Sequence, residues 1–161
     1  MSLGGWAIGE KLYEWIREHL ATGSKILELG SGTGSEVLAK HYDMHCVEHD
    51  KKWMNKSEHI TYYYAPLVNK WYDPSFIKDI PNDYDLLLID GPPGRVSNRS
   101  VMLNYLEEMH VIQTQYIIID DTNRQEELNL ALKLWTMMEN KEHEIFDDEG
   151  KNFSVLSIKA V

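Results

Sequence analysis

Carboxylates stand at the ends of three apolar stretches of this sequence, where buried strands would finish. Glu48 ends His-Cys-Val-Glu, Asp90 follows Leu-Leu-Leu-Ile, and Asp121 follows Tyr-Ile-Ile-Ile-Asp. A carboxylate in such a place can accept hydrogen bonds from hydroxyls, remove a proton or bind a hard cation. In open α/β sheets the carboxyl edge of the strands is where ligands bind, so these acids are candidates for a ligand site.

A glycine-rich turn comes before these acids in the chain. Residues 25–34 read Lys-Ile-Leu-Glu-Leu-Gly-Ser-Gly-Thr-Gly, an apolar strand followed by glycine at every second position. Glycine allows positive φ and lets the backbone approach a ligand that a Cβ would push away. A helix predicted over about 35–42 would point its free N–H groups at the same place. The turn therefore predicts a small-molecule site.

The spacing of the glycines separates two cofactor classes. A dinucleotide turn has the pattern G-x-G-x-x-G, and here Ser35 stands where its third glycine would fall. Glu28 lies two residues before the first glycine, at the end of the strand. The stretch ELGSGTG resembles motif I of the class I S-adenosylmethionine-dependent methyltransferases. An ordinary strand–helix turn is the alternative.

This resemblance implies a set of cofactor contacts. Glu28 would help to hold the amino group of S-adenosylmethionine, usually through water. The turn itself would pack against the methionine part of the cofactor, through Gly30, Ser31, Gly32, Gly34 and Ser35.

Glu48 is placed where Rossmann-like sheets bind ribose. It lies eighteen residues after Gly30, and a carboxylate there can accept hydrogen bonds from both ribose hydroxyls. The position is similar to motif II of the methyltransferases. His49 is a candidate for the adenine edge, and we expect Asp50 to cap the next helix. By the same resemblance, Ala65, directly after a predicted third strand, is a candidate on the adenine side.

Asp90 is the predicted catalytic residue and a further cofactor contact. It is followed by Gly-Pro-Pro-Gly, a stiff turn, and corresponds to motif IV of the family. There it would orient the acceptor, take its proton or bind a metal; capping of the turn is the alternative. In catechol-type O-methyltransferases such acids bind Mg²⁺, and Asp90 with Asp121 could do so. Thr122 occupies the place of the family's Asn, so a bound metal is not the favoured interpretation.

Three arginines lie beyond the predicted strand ends: Arg95, Arg99 and Arg124. Together they could bind an acidic group of a substrate, or they could pair with local carboxylates in solvent. The motifs IDGPPG-Arg and IDDTNR look similar to methyltransferases encoded with glycan-modifying enzymes. Trp6 could contribute to a lid over the site or pack on the surface.

The elements that must position these residues alternate between strand and helix. Apolar residues recur at helical spacing over 8–20, 97–109 and 125–138, and short apolar runs separate these segments. The pattern predicts one α/β domain over residues 1–161. By resemblance, its sheet would have seven strands, mostly parallel, with an antiparallel last strand.

Composition narrows the function classes. The net charge of −10 would repel a phosphate backbone, so nucleic acid is not an expected partner. The sequence contains no span-length apolar run and no signal peptide, so we expect a cytoplasmic protein without a membrane partner. The single cysteine, Cys46, fits a reducing compartment. A homodimer is left open.

The sequence therefore predicts an S-adenosylmethionine-dependent methyltransferase acting on a hydroxyl of a small molecule or glycan. Two rivals share the fold. One is an NAD(P)-dependent oxidoreductase, against which Ser35 counts. The other is a non-catalytic binding protein. The small size of the chain favours this alternative, and the presence of Asp90 speaks against it.

Overall fold

The structure, a computed structural model, describes residues 8–94, 97–111 and 114–158. Within these ranges the helices are α1 (Glu10–His19), α2 (Thr33–Leu38) and α3 (Gln125–Met137). The strands are β1 (Lys25–Leu29), β2 (Asp43–Glu48), β3 (Ile60–Tyr64), β4 (Leu67–Val68), β5 (Trp71–Tyr72), β6 (Leu86–Ile89), β7 (Tyr116–Asp120), β8 (Lys141–Asp148) and β9 (Lys151–Ile158).

Seven of these strands form one sheet in the order β3-β2-β1-β6-β7-β9-β8. The first five pair in parallel, and β9 runs antiparallel to both of its neighbours. The predicted seven-stranded α/β sheet with an antiparallel last strand is therefore confirmed. The strand order reverses between β1 and β6, which is where sheets of this kind form a ligand crevice.

The sheet is covered on both faces because its central strands are apolar on both. All four residues of Leu86–Ile89 are buried. One cluster of core side chains packs with α1 and includes Leu12 and Ile16. The other packs with α3 and includes Leu130 and Leu134. The result is a three-layer arrangement in which the carboxyl ends of the parallel strands share one edge.

The helix predicted over 97–109 is wrong in type. The chain forms a 3₁₀ helix, Arg99–Asn104, followed by turns that bring Met109 into the core. Apolar residues three apart fit a 3₁₀ helix as well as an α-helix, so the spacing did not distinguish them. None of the helices in the described ranges is long and apolar enough to cross a membrane.

The segment between β3 and β6 contains a small antiparallel hairpin of β4 and β5. Both residues of β5 are buried, with Trp71 at 0% and Tyr72 at 1% exposure. Large aromatic side chains contribute most of the apolar area that such a short element can bury. The hairpin therefore anchors this connection in the core cluster under α3.

Candidate functional site

The glycine turn between β1 and α2 meets different surroundings at each glycine. Gly30 has a φ of +94°, and a Cβ there would lie 3.3 Å from the backbone nitrogen of Gly91. A Cβ on Gly34 would lie 2.9 Å from Cγ1 of Ile8, whereas one on Gly32 would meet nothing within 4 Å. Gly30 and Gly34 are thus packed against protein, and Gly32 borders open space that a ligand can enter.

Glu28 is buried beneath this turn, with 2% of its surface exposed. Its Oε1 accepts a hydrogen bond of 2.5 Å from the hydroxyl of Ser35, and the thiol of Cys46 lies 3.6 Å from the same oxygen. Burial raises the pKa of Glu28 to about 8, although the bond from Ser35 acts in the opposite direction. The carboxyl is therefore protonated at neutral pH in the free protein, and a cationic ligand nearby would favour its ionised form.

Glu48 ends β2 and is oriented toward the turn. The hydroxyl of Ser31 donates to its Oε1 and the N–H of Asp50 donates to its Oε2, both over 2.8 Å. Nδ1 of His49 lies 3.2 Å from Oε2. A carboxylate has about four acceptor sites, so Glu48 can accept further hydrogen bonds from a ligand. The predicted ribose residue thus lies beside the predicted methionine-binding turn.

Two neighbours of Glu48 were predicted from their positions. Asp50 caps the 3₁₀ helix Lys51–Trp53 by accepting a bond of 3.0 Å from the N–H of Lys52, as expected. Ala65 is fully buried, and its N–H donates to the carbonyl of Glu48 over 2.9 Å. Ala65 therefore lies at the same sheet edge as Glu48, and its contact with adenine stays a prediction.

Asp90 comes directly after β6 and lies beside the end of β7. Because Ile89 pairs with Ile119, Asp90 lies beside Asp120, the last residue of β7. One carboxylate oxygen from each of Asp90, Asp120 and Asp121 lies within 4.8 Å of the others. Burial, and after it the charge of Asp120, raises the pKa of Asp90 well above its ordinary value.

Two cations balance this acidic group. Nζ of Lys151, at the start of β9, lies 3.1 Å from Oδ2 of Asp120. Arg99 is 3% exposed and donates to the carbonyl oxygens of Asp90, Pro92 and Asp120 over 3.0–3.3 Å. Arg99 therefore joins the ends of β6 and β7, which leaves it little freedom to bind a substrate.

Of the other two arginines singled out in the sequence, the structure describes Arg124. Arg124 is half-exposed, and its Nη1 lies 3.8 Å from Asp121 and 4.0 Å from Glu127. It pairs with local carboxylates, the second of the two roles expected for these arginines. Arg95 and Trp6 lie outside the described residues.

Three residues of the site were not predicted: Asp120, Lys151 and Tyr72. Asp120 had a signal in the sequence, because Ile-Asp ends two neighbouring apolar stretches, at Asp90 and at Asp120. Lys151 and Tyr72 had none, since each reaches the site from a distant part of the chain. The hydroxyl of Tyr72 is buried near Gly91 and has no hydrogen-bond partner among the described residues.

These features fit a cofactor that is cationic and rich in hydroxyls. The turn offers open space at Gly32, and its two serines are hydrogen-bonded to the buried acids Glu28 and Glu48. The hydroxyl of Tyr72, which has no partner among the described residues, lies next to the adjoining loop. Carboxylates favour a sulfonium or ammonium ligand and can accept hydrogen bonds from ribose, whereas they would repel a phosphate. The donor set thus fits a sulfonium nucleoside better than a dinucleotide phosphate.

Several solved structures with the same fold are described as methyltransferases. The chain superposes on a methyltransferase from Geobacter sulfurreducens with a TM-score of 0.62 at 13% identity, covering 96% of this chain and 82% of that one. A methyltransferase from Pyrococcus furiosus gives a TM-score of 0.61 at 14% identity, covering 94% and 82%. An SAH-bound methyltransferase from Podospora anserina gives 0.59 at 11% identity, covering 85% and 72%.

The chain therefore has the Rossmann-like fold of the class I S-adenosylmethionine-dependent methyltransferases. The resemblance that ELGSGTG indicated is confirmed at the level of the fold. No family model matches the sequence, and no curated protein matches it. One further structure, a Streptococcus pneumoniae protein described as a candidate tRNA (m1A22) methyltransferase, superposes with a TM-score of 0.53 at 16% identity, covering 96% and 72%.

Proposed function

We propose that this chain binds S-adenosylmethionine at the carboxyl edge of its sheet and transfers the methyl group to a hydroxyl of a small molecule or sugar. The observation that carries the proposal is the placement of Glu48, buried at the end of β2 and hydrogen-bonded to Ser31 of the glycine turn. Ribose and amino-acid contacts of one ligand would then lie side by side.

The protein's own part in such a reaction is to position the acceptor and manage its proton. When bound, the cofactor supplies a methyl group on a positively charged sulfur, which an acceptor oxygen can attack. Asp90 would accept the proton that the acceptor hydroxyl loses. A carboxylate whose pKa is raised is a stronger base than an ordinary one.

A metal ion is not part of this proposal, although three carboxylates lie close enough to hold one. Lys151 already lies 3.1 Å from Asp120, and Arg99 donates to the carbonyls at both strand ends. Positive charge at the acidic group is thus supplied by the protein. Turnover that EDTA abolishes and Mg²⁺ restores would instead assign Asp90, Asp120 and Asp121 to a metal.

The acceptor we propose is small and not a polynucleotide. The net charge of −10 opposes binding to a phosphate backbone. Although one structure of the same fold is described as a tRNA methyltransferase, a shared fold does not fix the acceptor. We also propose a cytoplasmic location, in keeping with the single free and buried Cys46. Association as a homodimer is a further option that sedimentation can test.

Calorimetry with S-adenosylhomocysteine and NAD in parallel tests the cofactor. We expect S-adenosylhomocysteine to bind to the wild type. The variant Glu48→Gln should lower its affinity by about tenfold, which corresponds to the loss of a hydrogen bond to a charged group. Asp79→Gln, a change at a residue on the exposed loop before β6, is the matched control and should bind like the wild type. Tight binding of NAD alone would favour an oxidoreductase.

Methyl transfer to a panel of sugars and phenols tests the reaction. Asp90→Asn should lower turnover by about a hundredfold or more while leaving the affinity for S-adenosylhomocysteine nearly unchanged. Binding of the cofactor without turnover on any hydroxyl acceptor would favour the non-catalytic alternative. An equal rate in wild type and Asp90→Asn would remove Asp90 from the reaction.

A further inference from the structure

Tyr72 carries a hydroxyl that is not hydrogen-bonded to any residue the structure describes. The residue is 1% exposed, and its phenol oxygen has no hydrogen-bond partner in the part of the chain that the structure describes. Buried hydroxyls in folded proteins nearly always have a partner, since desolvating one without compensation is unfavourable. An unpaired one therefore requires an explanation.

The position of this hydroxyl points to the candidate site. It lies 2.9 Å from where a Cβ of Gly91 would be, and that same point is 3.1 Å from Cα of Gly30 and from the carbonyl oxygen of Leu29. The phenol thus reaches the contact between the glycine turn and the loop that follows Asp90.

The electrostatic surroundings agree with this placement. Burial raises the pKa of Tyr72 well above its ordinary value; the charge of Glu48 acts in the same direction and that of Arg99 in the opposite one. The phenol therefore remains protonated at neutral pH and can donate a hydrogen bond. Glu28, Glu48 and Asp90, which are close enough to affect this pKa, are also proposed cofactor contacts.

We propose that Tyr72 is a cofactor-contacting residue whose hydroxyl donates a hydrogen bond to an acceptor atom of the bound sulfonium nucleoside. The inference rests on the proposed function. It accounts for the missing partner, since the ligand supplies it. It also gives a role to the hairpin of β4 and β5, which holds Tyr72 in the core with the hydroxyl directed at Gly91.

Two matched variants test this role in the absence of any turnover assay. Tyr72→Phe removes the unpaired hydroxyl, whereas Tyr84→Phe removes a buried hydroxyl that donates to the carbonyl of Met109 over 2.5 Å. We expect Tyr72→Phe to lower the affinity for S-adenosylhomocysteine, measured by calorimetry, by about 3- to 10-fold. Its melting temperature without ligand should be unchanged or higher. Tyr84→Phe should show the reverse, a lower melting temperature and wild-type affinity.

The outcomes separate this inference from the proposed function. If the wild type does not bind S-adenosylhomocysteine, the proposed function fails and the inference fails with it. If the wild type binds and Tyr72→Phe binds equally well, the inference alone is wrong. A lower melting temperature of ligand-free Tyr72→Phe would also overturn it, because it would reveal a partner within the protein.

A fragment of the ligand locates the hydrogen bond. 5′-Methylthioadenosine contains the nucleoside and lacks the amino-acid end. An equal loss of affinity for this fragment and for S-adenosylhomocysteine in Tyr72→Phe would assign the bond to the nucleoside. A loss confined to S-adenosylhomocysteine would assign it to the amino-acid end, and no loss for either ligand would overturn the inference.

Discussion

Glu28 and Ser35 are joined by a hydrogen bond of 2.5 Å that connects the end of β1 with the first turn of α2. The hydroxyl of Ser35 also accepts a bond of 3.0 Å from the N–H of Gly32. The position that distinguishes this turn from a dinucleotide turn thus has a structural task. A glycine at residue 35 would leave both the buried carboxyl and the N–H of Gly32 without this partner.

The buried carboxyl of Glu28 should make stability depend on pH. Its pKa is about 8 in the folded chain, whereas in the unfolded chain it titrates near its ordinary value of about 4.3. Between these values the folded state holds a proton that the unfolded state has released. The stabilisation is complete below the lower value and is lost as the pH rises through the higher one, with a slope of at most about 1.4 kcal/mol per pH unit.

Urea unfolding of the wild type and of Glu28→Gln, at intervals from about pH 5 to about pH 8, checks this expectation. Glutamine does not titrate, and its Oε1 can still accept the bond from Ser35. The free energy of unfolding of the wild type should fall relative to the variant as the pH rises. A difference between the two proteins that stays constant across the range would show that Glu28 is already ionised in the fold.

Two glycines of the site should respond to alanine in opposite ways. Gly32→Ala adds a Cβ that meets nothing within 4 Å, on backbone that is extended and accepts any residue. We expect its free energy of unfolding to stay within about 0.5 kcal/mol of the wild type. Its affinity for S-adenosylhomocysteine should fall, because the new methyl group occupies the open space beside the turn.

Gly91→Ala is the counterpart. Its Cβ would lie 2.9 Å from the hydroxyl of Tyr72 and 3.1 Å from the backbone of Gly30, so neighbouring groups must move. The free energy of unfolding should fall by about 1–3 kcal/mol, as it does when a methyl group is added to other packed interiors. Thermal unfolding and calorimetry on both variants check the pair. Wild-type affinity in Gly32→Ala would show that the ligand does not approach this turn.

Local patterns were sufficient to predict the frame of the site. Ile26, Leu27 and Leu29 form an apolar run followed at once by glycines, and each feature is contained in ten consecutive residues. The same holds for Leu86–Ile89 with Asp90. Such runs specify a buried strand and the turn after it wherever they occur. The acids that follow them were therefore placed at the correct edge of the sheet.

Long-range contacts were not predictable in this way. Arginine is usually exposed to solvent, but Arg99 is buried because it donates to carbonyl groups at the ends of two strands. Lys151 reaches Asp120 from 31 residues away, and the side chain of Tyr72 enters the core from a hairpin whose two strands have two residues each. In these cases the partner is defined by the packing of the sheet and not by neighbours in sequence.

The ion pair between Lys151 and Asp120 should contribute more to stability than an exposed pair of similar length. Asp120 is 1% exposed, so removing its cation would leave a buried charge without that partner. Lys151→Met should lower the free energy of unfolding by about 2 kcal/mol or more, somewhat less than for fully buried pairs because Lys151 is partly exposed.

Lys25→Met provides the matched control. Its ammonium lies 2.8 Å from the carboxylate of Asp83, whose side chain is 67% exposed. Solvent screens such a pair, so the variant should unfold almost as the wild type does. Urea unfolding of both variants measures the difference, and equal losses in the two would show that burial of Asp120 does not matter.

The start of α1 depends on a carboxylate from the opposite end of the chain. Gly9 precedes the helix and offers no side-chain cap. Oδ2 of Asp148, at the end of β8, lies 3.4 Å from the backbone nitrogen of Leu12 and would overlap with a Cβ on Gly9. Asp148 thus supplies the negative charge that a helix N-terminus favours, and only glycine fits beside it.

Asp148→Ala should therefore cost about 1 kcal/mol of stability, whereas Asp147→Ala, at the exposed neighbouring position, should change little. The effect should also reach the glycine turn, because Ile8, just before α1, packs against Gly34. Hydrogen exchange should show faster exchange in the first turn of α1 and at Gly34 in Asp148→Ala. If exchange at Gly34 matched that of Asp147→Ala, the start of α1 would not support the turn.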